Sequence, residues 1–295
     1  MKKTIIINGC DKNFYSYMVE SLDSLVDLKL HEKAAIGILD LGLDFTQAQE
    51  LKNKGYYVVK PTWTMSVPES IRKQHQLGLI ARTDLRDYFP GYDVYLWFDA
   101  DAWAQTPEFF YELTEGASNR GAALISENGP GYRKDFAYAK WWYGNMVASY
   151  GLMKGLYVAS QPVFNIGIMA LASNAPHWDV WKRYYQEFIN TREKVNNQHS
   201  FNAAVRLENL DFHLAPARCN WITVLSDPTW NPETRMLCEP NKGSKPLSVI
   251  HMAGPNKSKI YNLRQTSGGM HMTSLTYKAI ITNNSVSVKS QIENS

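Results

Sequence analysis

The stretch Asp93-Val-Tyr-Leu-Trp-Phe-Asp99-Ala-Asp101-Ala-Trp103 narrows the possible folds more than any other part of this 295-residue chain. An apolar, aromatic-rich run ends abruptly in two carboxylates at i and i+2. Such a run reads as a strand buried on both faces, as in a mostly parallel sheet covered by helices. In open α/β sheets ligands gather outside the carboxyl ends of the strands, where Asp99 and Asp101 would emerge. Two acids so close, with no Lys or Arg beside them in sequence, repel each other unless a cation bridges them. A hard divalent ion that keeps open positions for phosphate oxygens suits that demand. The bare Asp-x-Asp tripeptide is common, so the strand before it and the segments after it carry the argument.

The surrounding pattern agrees. Strands are predicted at 4–7, 34–39, 56–59, 93–98 and 122–126, and helices at 14–27, 45–54 and 68–87. This alternation is the signature of a doubly wound α/β sheet, a single mixed and mostly parallel Rossmann-like sheet flanked by helices. A further aromatic helix is predicted at 135–150. The strongest periodicity lies at 176–195, where Trp178, Trp181, Tyr185 and Phe188 share a face behind Asn174 as a plausible cap; that stripe is read as core packing. After residue 264 the chain turns Ser/Thr/Asn-rich, so one domain is expected over 1–264, with a polar and mobile tail over 265–295.

Composition closes off several functions. A net charge of +3 with dispersed Lys and Arg gives no nucleic-acid footprint. The opening residues carry a basic pair but an apolar run too short for a signal peptide, and no 18-residue apolar window predicts a membrane span. Peripheral membrane contact stays open. Cys10, Cys219 and Cys238 are an odd count without metal-site spacing, and read as reduced thiols of a cytoplasmic protein outside the chemistry.

Three segments add polar groups in a consistent order. The turn Asn8-Gly9-Cys10-Asp11-Lys12-Asn13-Phe14 follows the first strand. There Phe14 could stack on a base while Asp11 or Asn13 bonds its edge or the ribose; a plain helix-capping turn is the equal alternative. In Phe164-Asn165-Ile-Gly167 a glycine inside an apolar run marks a bulge or a close backbone approach by ligand, and Asn165 offers both donor and acceptor. In Val249-Ile250-His251-Met-Ala-Gly254-Pro-Asn-Lys257 a strand delivers an imidazole, a suitable ligand for an ion such as Mn²⁺. A glycine turn then returns a lysine that can neutralise phosphate.

Asp-x-Asp, Asn-x-Gly and His-x-x-Gly-x-x-Lys in this order, after an Asp-x-Asn-aromatic turn, resemble glycosyltransferase family 8, the GT-A-fold family of glycogenin and the bacterial lipopolysaccharide galactosyltransferases. The resemblance spans residues 4–257. It implies a nucleotide-sugar donor, usually UDP-linked, with Mn²⁺ (or Mg²⁺) held by Asp99, Asp101 and His251. It places Asn8, Asp11, Asn13 and Phe14 at the nucleotide and Gly254 and Lys257 at the diphosphate. Arg82, with Arg86 as competitor, falls where that family has a donor-contacting arginine. Asn165 would touch the transferred sugar, and Gln198 matches the family's Asp-Gln element near the anomeric carbon. Two departures stand out: the Asp of that element is Asn197 here, and the family's Lys-Pro-Trp is Lys257-Ser258-Lys259.

The chemistry so implied is transfer of a sugar to a carbohydrate or glycoconjugate acceptor, with retention by family likeness. The aromatic stretch 132–143, with Glu127 and Asp135, is the expected acceptor side. A sugar-1-phosphate nucleotidyltransferase would need a glycine-rich basic phosphate loop after the first strand, which 8–14 does not supply. A catalytically silent nucleotide- or carbohydrate-binding protein is the other reading, kept in view by Asn197.

Overall fold

Alternate residues of an extended strand point to opposite faces, and both faces here are apolar, so each strand needs cover on two sides. In the computed structural model, which describes residues 2–129, 131–240, 245–255 and 257–282, the central strands have that cover and it thins at the edges, where Tyr57 and Leu214 are exposed. The elements run β1 (Thr4–Cys10), α1 (Tyr15–Asp27), β2 (Ala35–Asp40), α2 (Phe45–Asn53), β3 (Tyr57–Val59), α3 (Leu77–Ala81), α4 (Leu85–Tyr88), β4 (Val94–Phe98), β5 (Ala102–Ala104) and α5 (Glu108–Arg120). They continue with β6 (Ala122–Ser126), α6 (Phe136–Tyr150), α7 (Leu152–Ser160), β7 (Phe164–Ala172), α8 (His177–Arg192), α9 (Asn197–Leu207) and β8 (His213–Ala215). The last strands are β9 (Trp221–Ile222), β10 (Thr229–Asn231), β11 (Met236–Cys238), β12 (Val249–His251), β13 (Ile260–Arg264) and β14 (Met270–Ser274).

The main sheet has seven strands in the order β3-β2-β1-β4-β7-β6-β8, and β7 alone runs against its neighbours. Ile5, Ile7, Tyr95 and Trp97 face α8 and α9, packing on Trp178, Trp181, Tyr185 and Phe201. Ile6, Leu96 and Phe98 face α1 and α5, packing on Met18, Leu22, Phe109 and Leu113. The stripe on α8 is therefore core, as its spacing predicts. The helix starts one residue later than expected and takes Pro176, not Asn174, at its N-cap.

A small sheet β5-β12-β9 sits at the carboxyl edge of the main one. It pairs His251 with Ala102, so β12 delivers the imidazole beside the residue that follows Asp101.

Two expectations change. Residues 68–87 do not form one helix; they form short helical pieces separated by extended residues at Arg72 and Lys73. Side chains compete with the helix ladder there: Arg72 Nε donates to Val67 O at 2.8 Å and Gln74 Nε2 to Leu41 O at 3.1 Å. Nor do residues 265–282 behave as a tail. β14 pairs antiparallel with β13, and Leu275, Tyr277 and Ile280 are buried against Trp103, Trp221 and Trp230. The apolar side chains responsible are too few among Ser, Thr and Asn to register as a period. The rest of the expected tail, 283–295, lies outside the described residues.

All three cysteines are buried, and none forms a disulfide. Burial pushes the Cys10 and Cys219 thiols up to about 12, so both stay protonated and unreactive at neutral pH.

Trp103 donates from Nε1 to Leu275 O at 2.8 Å. The Leu275 side chain is itself fully buried, so Leu275→Ala should cost about 2–5 kcal/mol in urea-unfolding free energy. An unchanged unfolding midpoint would show that 265–282 is not docked on the domain.

Candidate functional site

The site residues gather because of chain direction. Asp99 leaves the carboxyl end of β4 and Glu127 that of β6. β7 runs the opposite way, so its first residues, Phe164 and Asn165, stand at the same edge. Asp99 N donates to Gly167 O at 2.9 Å, which ties the acid to the antiparallel strand.

Asp99, Asp101 and His251 present ligand atoms within 4.8 Å of one another. His251 Nε2 lies 3.7 Å from Asp99 Oδ2 and 3.4 Å from Asp101 Oδ1. On its other side, Nδ1–H donates to Asn220 Oδ1 at 2.9 Å. That direction follows from the network: Asn220 Nδ2 donates to Asn165 Oδ1 at 3.0 Å, and Asn165 Oδ1 also accepts from Gly167 N. Asn165 Nδ2 then donates to Glu127 Oε1 at 3.0 Å. A carboxylate can only accept, so the chain of donors ending on Glu127 leaves Nε2 of a neutral His251 as a lone pair aimed at two carboxylates. Such an arrangement is stable with a proton or a cation between them. Two hard oxygen donors and one imidazole fit an ion such as Mn²⁺.

The fields agree with that reading. Burial alone would lower the His251 pKa, but Asp101 and Asp99 outweigh it and raise the group above its ordinary value. Burial would raise Asp101, and here His251 and Lys257 outweigh it, holding this carboxyl well below the usual range. Lys257 Nζ pairs with Asp101 Oδ2 and donates to Met252 O at 2.9 Å and Gly254 O at 3.1 Å. Gly254, at φ +98°, makes that turn at a backbone angle side-chain-bearing residues avoid. Arg82 Nη2 reaches Asp99 Oδ1 at 2.5 Å while its guanidinium lies 4.2 Å from the Trp97 ring centroid. Arg86 instead binds Ser173 O and Asp179.

Gly167 marks a close approach, as its place in an apolar run predicts, but the approaching groups are protein. A Cβ there would collide with His251 Cε1 and stand 2.6 Å from Asp99 Oδ2.

Placement is uneven for the remaining expected residues. Gln198 is in the cluster, donating from Nε2 to Glu127 Oε1 at 3.0 Å. Phe14 is 41% exposed, and Lys257 Nζ stands 5.5 Å from its ring centroid. Asp11 Oδ1 accepts from Asn13 N and Phe14 N in a turn ahead of α1, whose N-cap is Phe14 without a side-chain cap bond, so neither Asp11 nor Asn13 caps the helix; the Asn13 side chain is exposed beside it. Asn8 is a correction: it is fully buried, donates to Ser21 Oγ on α1 at 3.2 Å, and cannot touch a ligand in the cleft. Asn197 is buried, with Nδ2 on Leu79 O at 3.4 Å. Asp135, expected near the acceptor, accepts from Tyr138 N as the cap of α6.

Two residues were missed or underweighted in the sequence. Nothing local marks Asn220, which ends a helical turn at Ala217–Asn220. Glu127 follows β6 as Asp99 follows β4, a signal available from the strand pattern. It is buried and also accepts from Tyr138 OH at 2.5 Å.

No protein-family model matches this sequence, and no curated protein matches it either. Solved structures do. The galactosyltransferase LgtC, determined with donor and acceptor sugar analogues, superposes with a TM-score of 0.53 at 17% identity, over 85% of this chain and 87% of that one. The bifunctional glycosyltransferase WbbM gives 0.56 at 13%, over 86% of this chain and 46% of its own. Mouse xyloside xylosyltransferase 1 gives 0.50 at 12%, over 85% and 96%. At these identities the likeness is one of fold, and the chain has the GT-A fold of these glycosyltransferases.

Two outcomes follow for the cluster. In chelator-treated protein the raised His251 pKa means that folding favours the imidazolium. That stabilisation is full below the unfolded value near 6.5 and disappears as pH rises through the higher folded value. A metal needs the neutral imidazole, so Mn²⁺ affinity should rise with pH over the same window and binding should release protons. Titration calorimetry in buffers of different ionisation enthalpy measures that release; its absence would remove His251 from the ligand set. Separately, Asn220→Ala frees the imidazole to turn and should weaken Mn²⁺ binding about 10- to 100-fold. Unchanged affinity would show that the amide does not orient it.

Proposed function

We propose that the chain is a metal-dependent glycosyltransferase that moves a sugar from a nucleotide-sugar donor, UDP-linked by family resemblance, to a carbohydrate or glycoconjugate acceptor. The observation that carries this reading is the convergence of Asp99, Asp101 and His251 at the carboxyl edge of a GT-A sheet, with Lys257 and Arg82 against them. Mn²⁺ or Mg²⁺ bound there would supply charge neutralisation for the leaving diphosphate.

The chain's own residues do the rest. Lys257 pairs with Asp101 and lies above Phe14, so its ammonium stands between the acids and the exposed ring on which a base would stack. Arg82 adds a second positive charge while Trp97 and Ile166 O fix its guanidinium. These charges meet negative charge as it develops on the leaving group, without moving at the moment of reaction. Asn165 and Gln198 share Glu127 Oε1. With its amide nitrogen held, Gln198 offers its carbonyl oxygen to the reacting sugar. Glu127 acts as a positioning residue, and retention is the stereochemical outcome carried over from the family resemblance.

A second reading is a silent nucleotide-sugar-binding protein. Asn197 supports it: its amide donates to Leu79 O, a bond no carboxylate could make, so this position is built without the acid of the family motif.

One experiment separates the readings. Thermal shifts and product formation are measured with a panel of UDP-sugars, with and without Mn²⁺, for the wild type, Asp101→Ala and Gln198→Ala. Glycosyl transfer predicts a metal-dependent rise in melting temperature that Asp101→Ala abolishes. It also predicts turnover that Gln198→Ala lowers with binding preserved. Binding without sugar release by the wild type would favour the silent protein, and no shift with any donor, with or without metal, would sink both.

A further inference from the structure

The connection between β6 and β7 is built unlike an ordinary soluble surface. Residues 132–162 hold four basic side chains, one acid and eight aromatics. The inner face of this helical hairpin is covered: Trp142, Met146, Tyr150, Val158 and Ala159 pack with Phe188 and Ala203. Its outer face is also apolar but has no cover. Phe136 and Met153 are 83% and 80% exposed, and Tyr143, Leu156 and Tyr157 stand out beside them. Phe136, Lys140 and Tyr143 follow one another at spacings of four and three on α6, and Leu156 and Tyr157 lie three and four residues after Met153 on α7, so each set forms one stripe. An exposed helix that is apolar all round marks an interaction surface.

We propose that this face docks on an anionic lipid surface. Lys140 and Lys154 stand on the exposed side with no acidic partner among the described residues. The lone acid, Asp135, is taken up in capping α6. Tyr and Phe with Lys on an otherwise apolar helical face suit the boundary between headgroups and acyl chains, where rings settle and ammonium groups meet anionic lipid. A second copy of the chain fits less well. An isologous contact would set each lysine-bearing patch against its own copy. Among the described residues no helix is long and apolar enough to cross a membrane, so the hairpin lies in the plane of the surface. It is also continuous with the cleft: Glu127 precedes it, Asn165 follows it, and Tyr138 of α6 donates to Glu127. Docking would hold the mouth of the site close to the lipid headgroups. The inference does not depend on the donor chemistry.

The test is co-sedimentation of the full chain with vesicles of phosphatidylcholine alone and of phosphatidylcholine with phosphatidylglycerol in equal parts. Binding to the anionic vesicles, weakened by salt, is expected. Lys140→Glu and Lys154→Glu should each lower the partition coefficient by roughly fivefold or more. Phe136→Ser with Met153→Ser should lower it at unchanged melting temperature, since both side chains point into solvent. No sedimentation with anionic vesicles, or equal sedimentation of these variants, would overturn the proposal. So would a concentration-dependent dimer in vesicle-free solution that Met153→Glu dissociates, which would assign the face to a second copy.

Discussion

The carboxylate of Glu127 governs the polarity of the whole cleft, although it lies two amides away from the imidazole it controls. It can only accept hydrogen bonds, so Asn165 must turn its Nδ2 toward it, Asn220 must turn its Nδ2 toward Asn165, and His251 must donate from Nδ1. Each step fixes an orientation that would otherwise be free. The end product is an Nε2 lone pair pointing at Asp99 and Asp101. Burying three such groups together costs free energy that only opposite charge can offset. Arg82 and Lys257 provide it from opposite sides, one on Asp99 and one on Asp101. The space this leaves is tight, and Gly167 is the residue whose missing side chain makes room for it.

The fold delivers these groups by direction more than by proximity in sequence. A parallel strand offers its carboxyl end to the ligand edge, which accounts for Asp99 after β4 and Glu127 after β6. A third parallel strand between them would have presented its amino end on the far side. Because β7 is reversed, Asn165 arrives between the two acids, and the ladder bond from Asp99 N to Gly167 O holds it there. His251 comes from still another source, the small sheet that begins immediately after the Asp-x-Asp segment. The antiparallel pairing of β12 with β5, and the bond from Met252 N to Asp101 O, lock the imidazole to the very backbone that carries its partner acid.

What the sequence disclosed follows the same division. Strands buried on both faces announce themselves by unbroken apolar runs, so β4 and the acids at its end were legible, as were β7 with its glycine and β12 with its histidine. Groups that act through relayed hydrogen bonds leave no such trace. Asn220 sits in a helical turn of ordinary composition, and its role arises only once β9 and β12 lie side by side. Asn8 was misread for the opposite reason. Its place after an apolar strand is that of a ligand residue, yet β1 continues to Cys10 and carries Asn8 inside, where Ser21 satisfies it. The segment 68–87 has a helical composition, but side-chain bonds from Arg72 to the nearby Val67 O and from Gln74 to the distant Leu41 O compete with the helix, and the second depends on a neighbour a local pattern does not contain. Leu275, Tyr277 and Ile280 escaped notice because three apolar residues in a polar stretch acquire meaning only against the tryptophans they cover.

The link between β6 and β7 joins the chemistry to the surface. It starts at Glu127 and ends at Asn165, two neighbours in the relay that orients His251. Its inner face is anchored by Trp142 and Met146 in a core shared with α8 and α9, and α9 carries Gln198. Tyr138, in the first turn of α6, closes the loop by donating to Glu127 Oε2, which Lys134 also approaches. A surface that engages the outer face of α6 therefore bears on the carboxylate from which every donor direction in the cleft is set. The exposed aromatic residues and the buried polar relay thus lie on two faces of one connection.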